Sequence, residues 1–480
     1  MLLLLNRNRL SILGYILFYL VIGIYCLTHL QFTTTAFLAG MAGISMVLSS
    51  MIIDARGPHR LWLKWGGALC LILSSMIRYD SIKMLILASI PLLICFVYHN
   101  ARSINFRWYL IPAVFTVIGV LSCHFYDRHY YQQDEKWNQF VLYHDLAAKL
   151  INNAQIPITD QTRPLFAKVG WSPVDYWMLR NWIYLDSETH SISRLQEFKK
   201  QSDELNLRKY PQVMRFRVNM LKVAFTHPVV LISFSSALFL AFLNQRKFWE
   251  RTIIKWMVLW SGLIMLGLAI YMKLPERVFV PLGALVFYFS IFLNLPHLIS
   301  QIESKEFNKN LVFQTGVLIL LLATCFTCWR EVQRSDQIVK LNARFKQDLQ
   351  HLIQKWPDKV FLSVFTFPIE HFLPLDNQSE IQKLKFLYLT GRQGSPLFQQ
   401  KMKADEIESP YTELFETDRL LLIFHPKLNF VLKGYLKQHY GVEIELKSAY
   451  EGGYFQVYPV KIAAGEENTS STREASGKDE

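Results

Sequence analysis

Three short clusters of charged residues stand at the ends of apolar runs, and each holds the ingredients of phosphate and proton chemistry. Arg78, Tyr79 and Asp80 stand together, as do Asp127, Arg128 and His129. Glu276 and Arg277 sit inside Lys273-Leu-Pro-Glu-Arg-Val-Phe-Val-Pro281. A guanidinium presents a planar fork of donors that can grip a phosphate through two oxygens. A carboxylate or an imidazole nearby can take the proton of an attacking hydroxyl. On these grounds Arg277, Arg128 and Arg78, with Glu276 beside them, are candidate phosphate or substrate ligands. Asp127 is the candidate base, with Asp80 as its alternative. His129 is a candidate proton shuttle or phosphate contact, since imidazole titrates near neutral pH. Pro275 and Pro281 frame Arg277 and would stiffen its loop. The competing reading for each residue alone is a side chain that reaches from the membrane boundary toward water or forms a local ion pair.

A second constellation is aromatic. Gly170-Trp-Ser-Pro-Val-Asp-Tyr-Trp177 offers Trp171 and Trp177 as flat faces for a sugar ring and Asp175 as a hydroxyl acceptor. The same residues also read as a helix start. Ser172 can cap, Pro173 suits the first helical position, and Asp175 brings an acid to the N-terminal turn. On that reading the aromatics face a core or a membrane interface. No glycine-rich phosphate loop, HExxH or GxSxG motif occurs, and the histidines are scattered, so no cofactor is expected. A divalent metal held by carboxylates and a phosphate would leave no such signature. Cys325 and Cys328 form a CxxC within an apolar run, which places two small side chains on one helix face.

The elements that must position these groups follow from hydropathy. The chain has 480 residues, 51% of them hydrophobic, and nine apolar runs: 9–30, 35–53, 61–78, 83–99, 108–125, 223–244, 252–273, 277–297 and 311–329. Roughly 20 apolar residues cross a hydrocarbon core. The expected fold class is an all-α polytopic membrane bundle of about nine transmembrane helices, with a helical external insert and a small C-terminal α/β domain. Spans one to five occupy 1–125, the insert 126–222, spans six to nine 223–329, the α/β domain 330–463 and a polar, disordered tail 464–480. Within the insert, helices are expected over Asp134–Asn152, from Ser172, and over Ser193–Leu205, with Val213–Lys222 at the membrane surface. A helix from Arg330 to Trp356 precedes strands at Val360–Thr366, Leu384–Leu389, Leu420–His425, Val442–Leu446 and Tyr454–Val460.

The formal net charge is +13. Basic residues in short loops are what the positive-inside rule requires, so no nucleic-acid partner is implied. With a cytoplasmic N-terminus, Arg7, Arg9, Arg56, Arg60, Arg102, Arg107, Arg246, Lys247, Arg251, Lys305 and Lys309 fall on the inner side. Only Arg78, Lys83, Lys273 and Arg277 fall in the short outer loops. The insert and the C-terminal domain are then external, and the expected location is a bacterial inner membrane.

This layout, a polytopic bundle with helical outer loops and an external C-terminal domain, resembles membrane-embedded glycosyltransferases of the C-type fold. The resemblance implies transfer of a sugar from a polyprenyl-phosphate carrier at the outer face, with a lipid-linked sugar and membrane lipids as partners. It also implies an acid in the first outer loop. Here that loop is Thr28-His-Leu-Gln-Phe-Thr-Thr-Thr35 and carries none. Either the base lies at Asp80 or Asp127, or the chain belongs to another family of similar outline. Two other readings remain at this point: a non-catalytic scaffold for envelope assembly with protein partners, and a transporter. Few charges lie within spans and no internal repeat is visible, which counts against transport.

Overall fold

The computed structural model describes residues 15–16, 18–29, 31–52, 58–100, 107–153, 156–183, 188–204, 210–243, 248–303, 311–363, 385–389, 395–408, 410, 412–424, 429–452 and 456–463. The tail 464–480, residues 9–14 and Tyr184 lie outside the described residues. So do the strand ends 364–366, 384, 425 and 454–455, and the loop cations Arg7, Arg9, Arg56, Arg102, Arg246, Lys247, Lys305 and Lys309. The chain divides into two compact units. One is Met1–Tyr130 with Met214–Ser335, the other Tyr131–Val213 with Asp336–Glu480.

The first unit is a helical bundle. A π-turn at Tyr19–Gly23 runs into α1 (Ile24–Thr28). Then come α2 (Phe32–Ile52), α3 (Pro58–Ile77), α4 (Tyr79–Asn100) and α5 (Arg107–Gln132). After the insert, α10 (Pro211–Thr226), α11 (Pro228–Leu243), α12 (Phe248–Tyr271) and α13 (Glu276–Glu303) complete it, with the N-terminal part of α14 (Leu311–Lys355). Among the described residues six helices are long and apolar enough to cross a membrane, or seven if the bent pair α10–α11 is one span. The apolar runs at Tyr19–Thr28 and Leu61–Ile77 are helical but shorter than that test requires. On α5, Ile111, Val114, Val117 and Ile118 are exposed. A continuous apolar face of this kind belongs in hydrocarbon, and the chain reads as membrane-embedded.

The bundle core gathers around α13, where Phe279, Val280, Leu282, Leu285 and Phe289 are buried against Val229 and Val230 of α11. Small residues bring the helices close, as lipid-embedded packing favours. The Ser74 hydroxyl of α3 donates to the Ala36 carbonyl of α2 at 2.6 Å, and Ser45 and Ser290 donate to carbonyls one turn back in their own helices. α2 and α3 approach backbone to backbone. A Cβ on Gly67 would sit 2.8 Å from the Gly43 carbonyl oxygen, and one on Gly43 would sit 2.8 Å from that of Gly67. Backbone cannot yield as a side chain does. Gly67→Ala is therefore expected to force the two helices apart at a cost of about 1–3 kcal/mol, read as a lower melting temperature in mild detergent; an unchanged temperature would show that the contact relaxes freely.

The second unit joins the insert to the C-terminal residues. The insert supplies α6 (Glu135–Asn153), α7 (Arg163–Lys168), α8 (Pro173–Arg180) and α9 (Ile192–Glu204). The C-terminal part supplies β1 (Val360–Ser363), β2 (Lys385–Tyr388), α15 (Pro396–Ala404), α16 (Thr412–Glu416), β3 (Leu420–Phe424), α17 (Asn429–Tyr440), β4 (Ile444–Leu446), β5 (Tyr450–Glu451), β6 (Gln456–Tyr458) and β7 (Val460–Ile462). Five strands form one sheet in the order β2-β1-β3-β6-β5, parallel at β2-β1-β3 and antiparallel from β3 onward; β4 and β7 pair antiparallel.

Alternation sorts this sheet's residues to two faces. Phe361, Phe386, Leu421 and Val457 pack on Phe345, Leu349 and Leu352 from the C-terminal part of α14. Val360, Leu362, Leu387, Leu420 and Leu422 pack on Leu432, Tyr435 and Leu436 of α17, and on Met178 and Ile183 of the insert. The other face of α8 joins the insert's own core, where Tyr176 and Leu179 meet Phe166 and Phe198. One short helix thus belongs to two cores, which is why the insert and the α/β part are a single unit.

Candidate functional site

Two prolines shape the polar end of the bundle. Pro228 has no N–H and disfavours a helical conformation in the residue before it, so α10 stops at Thr226 and the chain turns by 61° into α11. His227 stands at that break. Pro275 likewise precedes α13, and its carbonyl accepts from the Val278 N–H at 2.9 Å, leaving Glu276 as the first helical residue. An acid there favours the positive end of the helix dipole.

These two helix starts meet. The Tyr25 hydroxyl, on α1, donates to Glu276 Oε1 at 2.7 Å, and His227 Nε2 lies 3.1 Å from the same oxygen. Tyr25 is only 3% exposed. An ionised carboxylate only accepts, so the short contact assigns the proton to Nε2 of His227 and leaves Nδ1 with the lone pair. His227 Nδ1 is buried and has no hydrogen-bond partner among the described residues. The ring is further fixed by edge contacts with Tyr25 and Phe279, at centroid distances of 5.8 and 5.4 Å.

A second imidazole–carboxylate pair flanks the first. His29 caps α1, stacks on the Tyr25 ring at 4.4 Å, and has Nδ1 3.1 Å from the Tyr25 carbonyl and 3.0 Å from the Thr28 hydroxyl. Glu331 Oε2, buried, lies 3.8 Å from the same nitrogen. Ionisable groups at such depth are costly unless paired. Five of them on three helices and one helix break make a built constellation.

Arginines stand nearby in the same unit. Arg78, between α3 and α4, donates from Nη1 to Thr33 Oγ1 at 2.7 Å and lies over the Phe32 ring at 4.8 Å. Arg277, exposed on the first turn of α13, is close enough to act on Arg78 as a like charge. Asp80, two residues along the chain, acts on Arg78 with the opposite sign, so the field there is mixed.

The sequence-derived candidates separate accordingly. Glu276, Arg277 and Arg78 come together at this end of the bundle. Asp80 lies in the field of Arg78 as well, is exposed and pairs with Lys83 at 2.6 Å. Asp127, Arg128 and His129 lie exposed on the last turns of α5. Asp175, Trp171 and Trp177 lie in the second unit. Trp171 is 3% exposed, donates its indole N–H to the Thr189 carbonyl at 2.6 Å and packs on Phe198. Its ring faces are spent on the insert core and leave no stacking platform. Trp177 is half-buried, packed against the α/β core and 6.4 Å from Phe430.

Asp175 is fully buried and completes a capping box: the Ser172 N–H donates to its Oδ2 at 2.7 Å, and the Ser172 hydroxyl accepts from the Val174 and Asp175 N–H groups. His439 Nε2 lies 2.8 Å from Oδ1. Burial pushes this carboxyl up, but the His439 hydrogen bond, the Ser172 N–H and the His439 charge outweigh burial and hold it below the ordinary aspartate value.

Tyr25, His29, His227 and Glu331 escaped the sequence reading. The available signal was the His-Pro and Pro-Glu pairs at two helix starts. Nothing in a single sequence says that these ends meet. Among the described residues no three His, Cys, Asp or Glu side chains gather closely enough to hold a metal ion. No protein-family model, curated protein or solved structure matches the chain.

Proposed function

We propose that the chain is a membrane-embedded transferase that moves a sugar from a polyprenyl-phosphate carrier to an acceptor hydroxyl. The observation that carries this reading is the His227 ring oriented by Glu276, with its bare Nδ1, where Glu276 adjoins Arg277 in sequence. The carboxylate–imidazole pairing follows the logic of activated nucleophiles, in which a third group orients the base.

In this mechanism Arg78 and Arg277 bind the carrier phosphate. His227 Nδ1, buried in this structure, must be uncovered for the acceptor to reach it; it then takes the acceptor's hydroxyl proton as the acceptor oxygen bonds to the anomeric carbon. The bond from that carbon to the phosphate oxygen breaks, and polyprenyl phosphate departs with the bonding pair, its charge met by the two arginines. Glu276, held by Tyr25, stabilises the imidazolium that forms. His227 thus takes the role the sequence suggested for Asp127, Asp80 or His129.

The topology that fits is nine spans with a cytoplasmic N-terminus in a bacterial inner membrane. The six long helices, the bent pair and the two shorter apolar helices would together supply the nine. The insert and the C-terminal α/β part share one core, so both belong on one side, here the outer one. Four crossings between them satisfy that requirement.

The test is mass spectrometry of lipids that co-purify in mild detergent. Enrichment of a polyprenyl phosphate or lipid-linked sugar, lost in an Arg78→Ala/Arg277→Ala variant, is the expected result. Bulk phospholipid alone would overturn the transferase and favour a non-catalytic role in envelope assembly.

A further inference from the structure

Helix α10 carries three kinds of surface. Leu221 and Ala224 pack into the bundle core, and the Met220 sulfur accepts from the Leu274 N–H at 3.4 Å, so the helix is fastened along one side. Arg215, Asn219 and Lys222, spaced by four and three, share another face, and all three are exposed. On both sides of that polar stripe the exposed side chains are apolar. Met214 and Val218 form one flank, 42% and 58% exposed, and Phe216 and Val223 the other, 37% and 58% exposed.

This pattern suits neither hydrocarbon nor water alone. A polar stripe with two cations is costly inside the hydrocarbon core, and two apolar flanks are costly in water. A helix of this kind lies in the interface, its apolar residues sunk to the acyl boundary and its cations among the headgroups. The 61° bend at His227 makes room for it, since α11 can cross the membrane while α10 turns aside.

The charge selects the lipid. Pro211–Thr226 contains no Asp or Glu. Among the described residues neither the Arg215 nor the Lys222 side chain forms an ion pair or a hydrogen bond. A zwitterionic headgroup would bring its own cation against them, whereas a headgroup of net negative charge complements them.

We propose that α10 is a surface-lying recognition helix for anionic phospholipid, with Arg215 and Lys222 on headgroup phosphates and both apolar flanks at the acyl boundary. The inference does not depend on the transferase reading, and it gives the surface segment expected at Val213–Lys222 its chemical partner.

The experiment is amide exchange of the full chain in nanodiscs of phosphatidylcholine alone and of equal parts phosphatidylcholine and phosphatidylglycerol. Near an anionic surface each cation is worth about fivefold, so α10 peptides should exchange up to about thirtyfold more slowly in the mixed discs. Peptides of α13 should not respond. Lys222→Gln should reduce the slowing to about fivefold and Arg215→Gln/Lys222→Gln should abolish it, with exchange in phosphatidylcholine discs unchanged. Glycerol phosphate added to phosphatidylcholine discs should leave α10 as it was. Equal exchange in the two discs, a phosphatidylglycerol effect that survives in the double variant, or slowing by free glycerol phosphate would each overturn the proposal. Should α13 lose protection in the double variant, the single change at the exposed Lys222 decides the matter.

Discussion

Replacing His227 by glutamine is expected to lower sugar transfer by about two to four orders of magnitude, the usual contribution of a positioned general base, while the bundle stays folded. Glutamine can keep an N–H near Glu276 Oε1, where His227 Nε2 now lies at 3.1 Å, yet its amide cannot take up a proton. Glu276→Gln should cost less, about ten- to a hundredfold. The amide oxygen still accepts from Tyr25, but the charge that steadies an imidazolium is gone. Tyr25→Phe removes a single hydrogen bond to a charged group, worth about 1.5–3 kcal/mol, so its effect should be divided between stability and rate. Radiolabelled transfer from a lipid-linked sugar, normalised to folded protein, reads all three. Asp80→Asn, Asp127→Asn and His129→Gln serve as the counter-test, because Asp80 is tied to Lys83 at the surface and the other two are exposed on α5. Full transfer in His227→Gln, or its loss in Asp127→Asn, would return the base to the position the sequence suggested.

The contrast shows what one sequence can and cannot carry. Local chemistry was legible. Ser172-Pro-Val-Asp175 reads as a capped helix start and is one, with both halves of the capping box formed. The short apolar runs after Pro357 read as strands, and β1, β2, β3, β4 and β6 fall within them. The sequence also divided one element in two. An apolar run to Trp329 and a polar helix from Arg330 differ in composition, yet nothing between them breaks a helix, and α14 runs unbroken for 45 residues. Long-range placement was the illegible part. Tyr25 and Glu276 lie 251 positions apart, and hydropathy says that each ends an apolar run but not that the two ends touch. Trp171 illustrates the same limit from the other side. An exposed and a buried indole have the same local pattern, and only the packing of Phe198 and the Thr189 carbonyl distinguishes them.

The second large effect is expected at Asp175, where the loss should be of structure rather than of chemistry. Asp175→Ala removes the buried acid and leaves His439, whose side chain is 19% exposed, without its carboxylate partner. Breaking a fully buried pair from one side costs about 3–5 kcal/mol; the water left to His439 lowers that cost, and half of the capping box goes with the acid. Because α8 contributes Met178 to the α/β core and Leu179 to the insert core, both cores should loosen together. Amide exchange in the full chain reads this directly: peptides from α8 and α17 should lose protection in the variant, while those from α13 should not. Loosening of α8 alone would show that the two cores are not coupled through it. Acid gives an independent measure. The folded-state carboxyl is held below its unfolded value of about 3.9, so the unfolded chain binds the proton more readily. The stabilisation is fully present above that unfolded value and is lost as pH falls through the lower, folded one. Protection of α8 should therefore hold from neutral pH to about 5 and fall away below about 4. Asp175→Asn keeps the shape without the titrating group, so its α8 should start less protected and lose less on acidification. An Asn variant with the wild-type acid profile would assign that transition to another carboxylate.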